Sequence, residues 1–288
     1  MTIDLDGPDD LVIHGDNASV LPSLPDASFQ LIYIDPPFNT GRTQTRRTLT
    51  TARDEDGDRV GFKGHTYATR VTASRAYADT FDDYLAFLEP KLLDARRLLT
   101  PSGTFYLHLD AREVHYVKVM LDGVFGRECF LNEIIWAYDY GARATKKWPA
   151  KHDTILVYVK SAGDYWFDSS AVDREPYMAP GLVTKEKAER GKLPTDVWWH
   201  TIVSPTGREK TGYPTQKPEG LLRRMIAAST KPGDRVLDFF AGSGTTGAVA
   251  RALGRRFVLV DQNPEAIAVM RARLGEDRIA YLTASPAD

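Results

Sequence analysis

Apolar positions along this chain switch between two periods. Short apolar runs recur at "LVIH" (11–14), "QLIYID" (30–35), "GTFYLHLD" (103–110), "RVLDFF" (235–240), "RFVLVD" (256–261) and "RIAYLTA" (278–284), and each reads as a strand. Between them lie stretches with apolar residues at roughly 3.6-residue spacing: 81–99, 111–126, 218–230, 245–253 and 264–274. "NASVLPSL" (17–24) predicts only a short helical turn. Pro90 predicts a kink in the helix over 81–99, because it removes one backbone donor, and Gly126 predicts the end of the next helix. Strands alternating with helices in this way imply an α/β fold with a doubly wound, mostly parallel sheet covered on both faces.

The rhythm breaks twice, and the breaks suggest an organisation. Residues 1–126 form one α/β half and 213–288 another. In 127–212, strand-like "EIIWAY" and "DTILVYVK" are mixed with lysines, prolines and tryptophans that keep no clean period. This part reads as an insertion with some β-structure; Trp198 and Trp199 read as core or pocket wall. The second break, about 42–78, is rich in Thr, Arg and Asp. Residues 42–75 hold eight basic residues against four acids, a local net charge of +4. A mobile basic loop is expected there.

Composition narrows the setting. With 42% hydrophobic residues the chain can fill a core, and its formal charge of −2 excludes a globally basic nucleic-acid binder. A polyanion would have to meet a local patch such as 42–75. One cysteine, Cys129, excludes a disulfide framework and a cysteine-built zinc site, and fits a reducing, cytoplasmic compartment. The acidic N-terminus has no apolar signal core, and no apolar run approaches the ~20 residues of a membrane span. Neither a membrane nor a metal is expected as partner.

Two motifs carry chemistry. In "VLDFFAGSGTTGAVA" (236–250), Gly242 and Gly244 allow a tight turn and close approach of a ligand between a strand and a helix. Ser243, Thr245 and Thr246 can cap that helix, whose open amides favour an anion or carboxylate. No lysine follows the second glycine, so this is not a phosphate-binding P-loop. The next strand ends on Asp261, where a carboxylate can accept from both hydroxyls of a ribose. The C-terminal third therefore suits a nucleoside-bearing cofactor, either a nicotinamide dinucleotide or S-adenosylmethionine.

The second motif is "DPPF" (35–38), which ends a strand on a carboxylate and stiffens the next two residues. Pro36 and Pro37 have no N–H and a fixed φ, so the Asp35 carboxylate and the Pro36 carbonyl make a rigid pair of acceptors. Two acceptors suit an –NH2 group, and Phe38 offers a face on which a base could stack. Accepting both hydrogens favours a tetrahedral nitrogen whose lone pair can attack a methyl on positively charged sulfur.

With both motifs present, the chain resembles the bacterial amino-group DNA methyltransferases, in which DPPF precedes FxGSGTT in the β subgroup. "HGD" (14–16), "NEIIW" (132–136), "KHDTILVYVK" (151–160), "DVW" (196–198) and "YPTQKPEGLL" (213–222) follow the same order, leaving about 42–75 and 170–192 uncovered. The resemblance implies the S-adenosylmethionine-dependent methyltransferase fold, circularly permuted, with 127–212 as an inserted target-recognition region. It implies that Asp35, Pro36, Pro37 and Phe38 hold a flipped-out base. Phe240, Gly242, Ser243, Gly244 and Thr245 would surround the methionine part of the cofactor, Asp261 its ribose and Asp16 its adenine, with Asp35, Asp238 and Asn263 also at the cofactor. Gln216, Lys217 and Pro218 would close the methionine pocket, Lys217 near the carboxylate. The expected substrate is the 6-amino group of adenine in double-stranded DNA, with the cytosine 4-amino group as the alternative. A nucleotide-dependent oxidoreductase would leave DPPF without a task, and Asp35 with the intact glycine turn argues against a silent DNA-binding module. Arg42, Arg46 and Arg47 are expected on phosphates, and Arg143, Lys146 and Lys147 in a DNA-contacting loop. Family inference adds a homodimer, a cognate restriction endonuclease as partner in restriction-modification, and a nucleoid location on DNA.

Overall fold

The computed structural model describes residues 3–39, 42–53, 59–60, 66–79, 81, 83–139, 143–204 and 206–284, and in 42–79 the backbone alone. Its strands are β1 (Asp10–His14), β2 (Phe29–Ile34), β3 (Arg42–Arg53), β4 (Arg59–Val60), β5 (Thr66–Asp79), β6 (Leu99–Leu109), β7 (Phe130–Ala137), β8 (His152–Val159), β9 (Val197–Trp199), β10 (Arg235–Asp238), β11 (Arg256–Asp261) and β12 (Ile279–Thr283). Its α-helices are α1 (Asn17–Val20), α2 (Tyr84–Leu98), α3 (Val114–Phe125), α4 (Lys185–Arg190), α5 (Glu219–Ser229), α6 (Thr245–Ala252) and α7 (Pro264–Leu274). The chain divides into two compact units, Pro37–Tyr84 and the remainder, Met1–Pro36 with Leu85–Asp288. Among the described residues no helix is long and apolar enough to cross a membrane.

The larger unit is built on a nine-stranded sheet in the order β12-β1-β11-β10-β2-β6-β8-β7-β9. From β12 to β6 every pairing is parallel. β8 runs antiparallel to both β6 and β7, and β9 returns parallel to β7. The strands at the centre are apolar on both faces: Leu31, Ile32, Tyr33 and Ile34 of β2 and Val236 and Leu237 of β10 are buried. That is the pattern of a sheet covered by helices on each side. Local chemistry sets the helix limits. α7 opens on Asn263, whose Oδ1 accepts from the Glu265 N–H at 2.9 Å; it has Pro264 in its first turn and stops at Gly275, which adopts φ 76°. Pro90 lies inside α2, as its sequence position requires.

The segment 127–212, expected as an insertion with some β-structure, supplies β7 and β8 to the main sheet, with register from Thr104↔Val159 to Leu109↔Thr154 between β6 and β8. Ile155 to Val159 are buried, and the antiparallel return places them against β6. Beyond β8 regular structure becomes sparse: a 3-10 turn at Pro180–Leu182, α4 and β9 precede α5 among the described residues.

Within 42–78, expected as a basic loop, the described residues 42–53, 59–60 and 66–78 have the backbone of an antiparallel ribbon, β3 with β5, to which β4 adds. Threonines recur along both strands, and β-branched side chains favour the extended backbone where the charge pattern alone suggested a loop. At the base of this unit, Tyr84 Oη donates to the Pro37 carbonyl at 2.8 Å and the Phe81 N–H donates to Asn39 Oδ1 at 3.2 Å. The side chains of Arg42, Arg46 and Arg47 lie outside the described residues.

Candidate active site

The sheet reverses its winding between β10 and β2. β10 continues through α6 to β11 on one side, whereas β2 continues to β6 through α2 on the other. Such a switch point opens a crevice at the carboxyl ends of the strands, where open α/β sheets hold their ligands. Asp35 follows β2, Asp238 ends β10 and Asp261 ends β11, so three carboxylates come from neighbouring strand ends.

Two of these carboxylates shape the glycine turn. Asp238 is buried, and its oxygens accept from the Phe240 N–H at 3.0 Å and the Thr246 hydroxyl at 2.6 Å. Through these two bonds it braces the turn. Burial pushes its carboxyl up to about 7, and the charges of Asp35 and Asp261 add to the rise. Asp261 accepts from the Gly242 N–H and the Asn263 N–H, each at 2.8 Å. Burial raises its pKa too, against those two amides. Each Asp261 oxygen keeps further acceptor capacity.

Gly244 sits at φ 72° as the N-cap of α6, and a Cβ there would lie 2.7 Å from Met270 Cγ. Gly242 has φ 50°, and a Cβ would come 3.2 Å from the Tyr213 ring. The turn is thus closed to side chains in both conformation and space. Ser243 and Thr245 are buried with their hydroxyl oxygens 3.0 Å apart, and Phe240 is half-buried at the rim, 6.2 Å from Phe87 between ring centroids. Arg273 of α7 locks this turn to α5, donating to Thr245 Oγ1 at 2.9 Å, the Ser243 carbonyl at 3.3 Å and Glu219 Oε1 at 2.7 Å. Nothing in the period of α7 singled Arg273 out. Asp16 is exposed and caps α1, accepting from the Ala18 N–H at 3.3 Å.

Lys217 pairs with the carboxylate of the DPPF motif. Its Nζ donates to Asp35 Oδ2, and the two residues are 182 positions apart in the chain. Their side chains are 10% and 15% exposed. Asp35 Oδ1 is buried and has no hydrogen-bond partner among the described residues. The lysine is held by its surroundings: its carbonyl accepts from Thr245 Oγ1 at 3.2 Å. Gln216 beside it ties 207–218 together, accepting from Thr211 and donating to the Glu209 carbonyl at 2.7 Å. Pro218, buried, caps α5 with extended backbone. The division between compact units falls between Pro36 and Pro37, so Phe38, half-buried, belongs to the smaller unit.

Residues 29–272 match the family profile described as DNA methylase. This chain belongs to the DNA methylase family. It is 32% identical to the DNA adenine methyltransferase YhdJ of Escherichia coli (strain K12) over 271 residues, covering 91% of this chain and 82% of that one. Identity to the type II methyltransferase M.HpaI of Haemophilus parainfluenzae is 30% over 271 residues, covering 93% and 75% of the two chains. Among solved structures, the M1.HpyAVI–SAM complex aligns with TM-score 0.59 at 20% identity, over 92% of this chain and 98% of that one. The cytosine-N4-specific PvuII DNA methyltransferase aligns with TM-score 0.62 at 17% identity, over 94% and 88%. These structural likenesses establish the common fold.

The methylase also contains a buried polar chain that sequence reading missed. Tyr33 Oη and His108 Nδ1 are 3.0 Å apart, His108 Nε2 and Asp153 Oδ2 3.3 Å, and Tyr138 Oη donates to Asp153 Oδ1 at 3.1 Å. His108 is fully buried. The chain links β2, β6 and β8 with the residue after β7 at the edge that carries Asp35. Burial works against ionisation of Asp153, yet the hydrogen bond and charge of His108, with Lys217 and Tyr138, hold its carboxyl below the usual value. A histidine at an apolar strand position was the available signal, because a buried imidazole needs partners on both nitrogens.

β7 runs in the same direction as β2, so the segment joining β7 to β8 emerges at the edge that carries Asp35. Arg143, Lys146 and Lys147 are exposed on it, with Trp148 94% exposed. Trp198 is buried as expected, but Trp199 is 71% exposed, because successive residues of the edge strand β9 point to opposite faces.

Proposed function

We propose that this methylase transfers a methyl group from S-adenosylmethionine to the exocyclic 6-amino group of a flipped-out adenine in double-stranded DNA. The observation that carries this reading is Asp35 and the donor-free Pro36 at the switch point, beside a glycine turn braced by Asp238 and Asp261. A relative that is 32% identical bears the name of a DNA adenine methyltransferase, which supports adenine over cytosine.

The residues present suit the cofactor. Asp261 keeps acceptor capacity for ribose hydroxyls, and its charge favours the cation of the cofactor. Phe240, Gly242, Ser243, Gly244 and Thr245 would hold the methionine end, closed by Gln216, Lys217 and Pro218, with Asp261 and Asn263 on the ribose side and Asp16 on the adenine side. When bound, the group supplies a methyl on positively charged sulfur. Asp35 and the Pro36 carbonyl accept the two amine hydrogens, which draws the nitrogen lone pair out of conjugation with the ring. The Asp35 carboxylate also stabilises the positive charge growing on that nitrogen and takes the proton the methylated amine loses.

A duplex base must leave the stack to reach this corner, and Phe38 would receive its face. The basic β3–β5 ribbon would contact phosphates, Arg143, Lys146 and Lys147 would approach the duplex from the β7–β8 segment, and the irregular part of 161–212 would read sequence. A homodimer, a cognate restriction endonuclease and a nucleoid location complete the proposal. The test is incubation of plasmid DNA with enzyme and S-adenosylmethionine, nucleoside analysis and mapping of the modified positions. N6-methyladenine is expected, lost in Asp35→Ala; N4-methylcytosine in its place would overturn the choice of base, and no methylation the whole reading.

A further inference from the structure

The geometry around Asp35 poses a problem for the proposed chemistry. The amine needs the carboxylate as acceptor, yet one oxygen is shared with a lysine and the other is buried. Oδ2 is engaged by the Lys217 ammonium, and Oδ1 is buried without a partner. While Lys217 stays in place, an –NH2 group must compete with its ammonium for the acid. Asp153, another carboxylate that feels the charge of Lys217, is already bonded to His108 and Tyr138 through its two oxygens. It is therefore a poor alternative seat for the lysine. What can draw the ammonium away is a new anion beside the glycine turn, and Lys217 is tied to that turn through its own carbonyl and Thr245.

We infer that Lys217 is a latch that covers Asp35 while the cofactor is absent and moves to the cofactor's carboxylate when it binds, so the target base is captured only after the cofactor. This rests on the methyltransferase reading above and adds an order of binding to it. The exchange keeps charge balanced: Lys217 leaves one carboxylate for another, and the freed Asp35 gains an amine donor. Lys217 is a positioning residue here, acting on the base through Asp35.

The test uses duplex DNA with 2-aminopurine at the mapped target position, whose fluorescence rises when the base leaves the stack. S-adenosylhomocysteine, which has the carboxylate, and 5′-methylthioadenosine, which lacks it, serve as unreactive probes. For the wild type, fluorescence is expected to rise with S-adenosylhomocysteine and to stay low with methylthioadenosine or with neither. Lys217→Met is expected to capture the base without any cofactor, while its affinity for S-adenosylhomocysteine falls on the order of ten- to a hundredfold, the loss of one charge-assisted hydrogen bond. Lys217→Arg, which keeps the cation, should remain cofactor-dependent and controls for folding. The latch is overturned if wild-type enzyme captures the base equally well without cofactor. It is also overturned if methylthioadenosine acts as well as S-adenosylhomocysteine, or if Lys217→Met still waits for cofactor. Wild-type methylation of plasmid adenine separates the two levels: if it succeeds while these results fail, the latch alone is wrong, and if it fails, both fall.

Discussion

Asp238→Asn should change how the stability of this methylase depends on pH. The folded protein holds the Asp238 carboxyl near 7 against an ordinary value of 3.8, mainly because it is buried. A carboxyl raised in the folded state gives its full stabilisation below pH 3.8, where both states bear the proton. As pH rises toward 7 the unfolded chain ionises while the folded one does not, and that stabilisation is lost. A shift of about three units corresponds to about 4 kcal/mol, a large share of a typical domain's 5–15 kcal/mol. Asparagine is nearly isosteric and carries no charge. Its oxygen can keep the Phe240 N–H, and its amide can donate to the Thr246 hydroxyl in place of the present bond. Urea unfolding at intervals from about pH 4.5 to 8 gives the difference in stability between variant and wild type. That difference should move in favour of the asparagine variant as pH rises, by about 3 kcal/mol across this range because the first part of the change falls below about pH 4.5, and level off above pH 7. Repulsion from Asp35 and Asp261 should broaden the curve. A difference that stays flat between about pH 5 and 7.5 would show that Asp238 is not held neutral, and the account of the turn would be wrong.

Other perturbations separate the parts of the site. Gly244→Ala forces a left-handed residue at about 1–2 kcal/mol and pushes on buried Met270 at about 1–3 kcal/mol more, so urea unfolding should show it clearly less stable than Gly242→Ala, which meets only the half-buried Tyr213 ring. Arg273→Met leaves Glu219 and the Ser243 carbonyl without their donor and should cost about 2–3 kcal/mol in the same assay. Equal stability would mean that the arginine does not hold the turn. Replacing Arg46 and Arg47 together by Gln should weaken DNA binding and lower the slope of log affinity against log salt by up to about 2, read by titration at several salt concentrations. An unchanged slope would remove the ribbon from the phosphate contacts.

The local chemistry of the site was legible in the sequence because it is local. A run of apolar residues stopped by Asp35 and two prolines, and a strand turning on Gly242 and Gly244, each need only neighbours along the chain to declare their shape. Helix limits such as Asn263 and Gly275 are local in the same sense. What tertiary structure decided are the pairings between distant segments, whose energy depends on partners that no local pattern names. An apolar run looks the same whether it joins a parallel sheet or returns antiparallel, so β7 and β8 could not be assigned to the main sheet, nor β3 and β5 to a ribbon, before their partners were known. The same holds for charges. Lys217 could have faced solvent, a cofactor or Asp35, and only folding set it on the acid at the end of β2. Likewise only folding gathered Tyr33, His108, Asp153 and Tyr138 into one buried chain, since a polar group taken out of water must find its partner wherever the fold brings one.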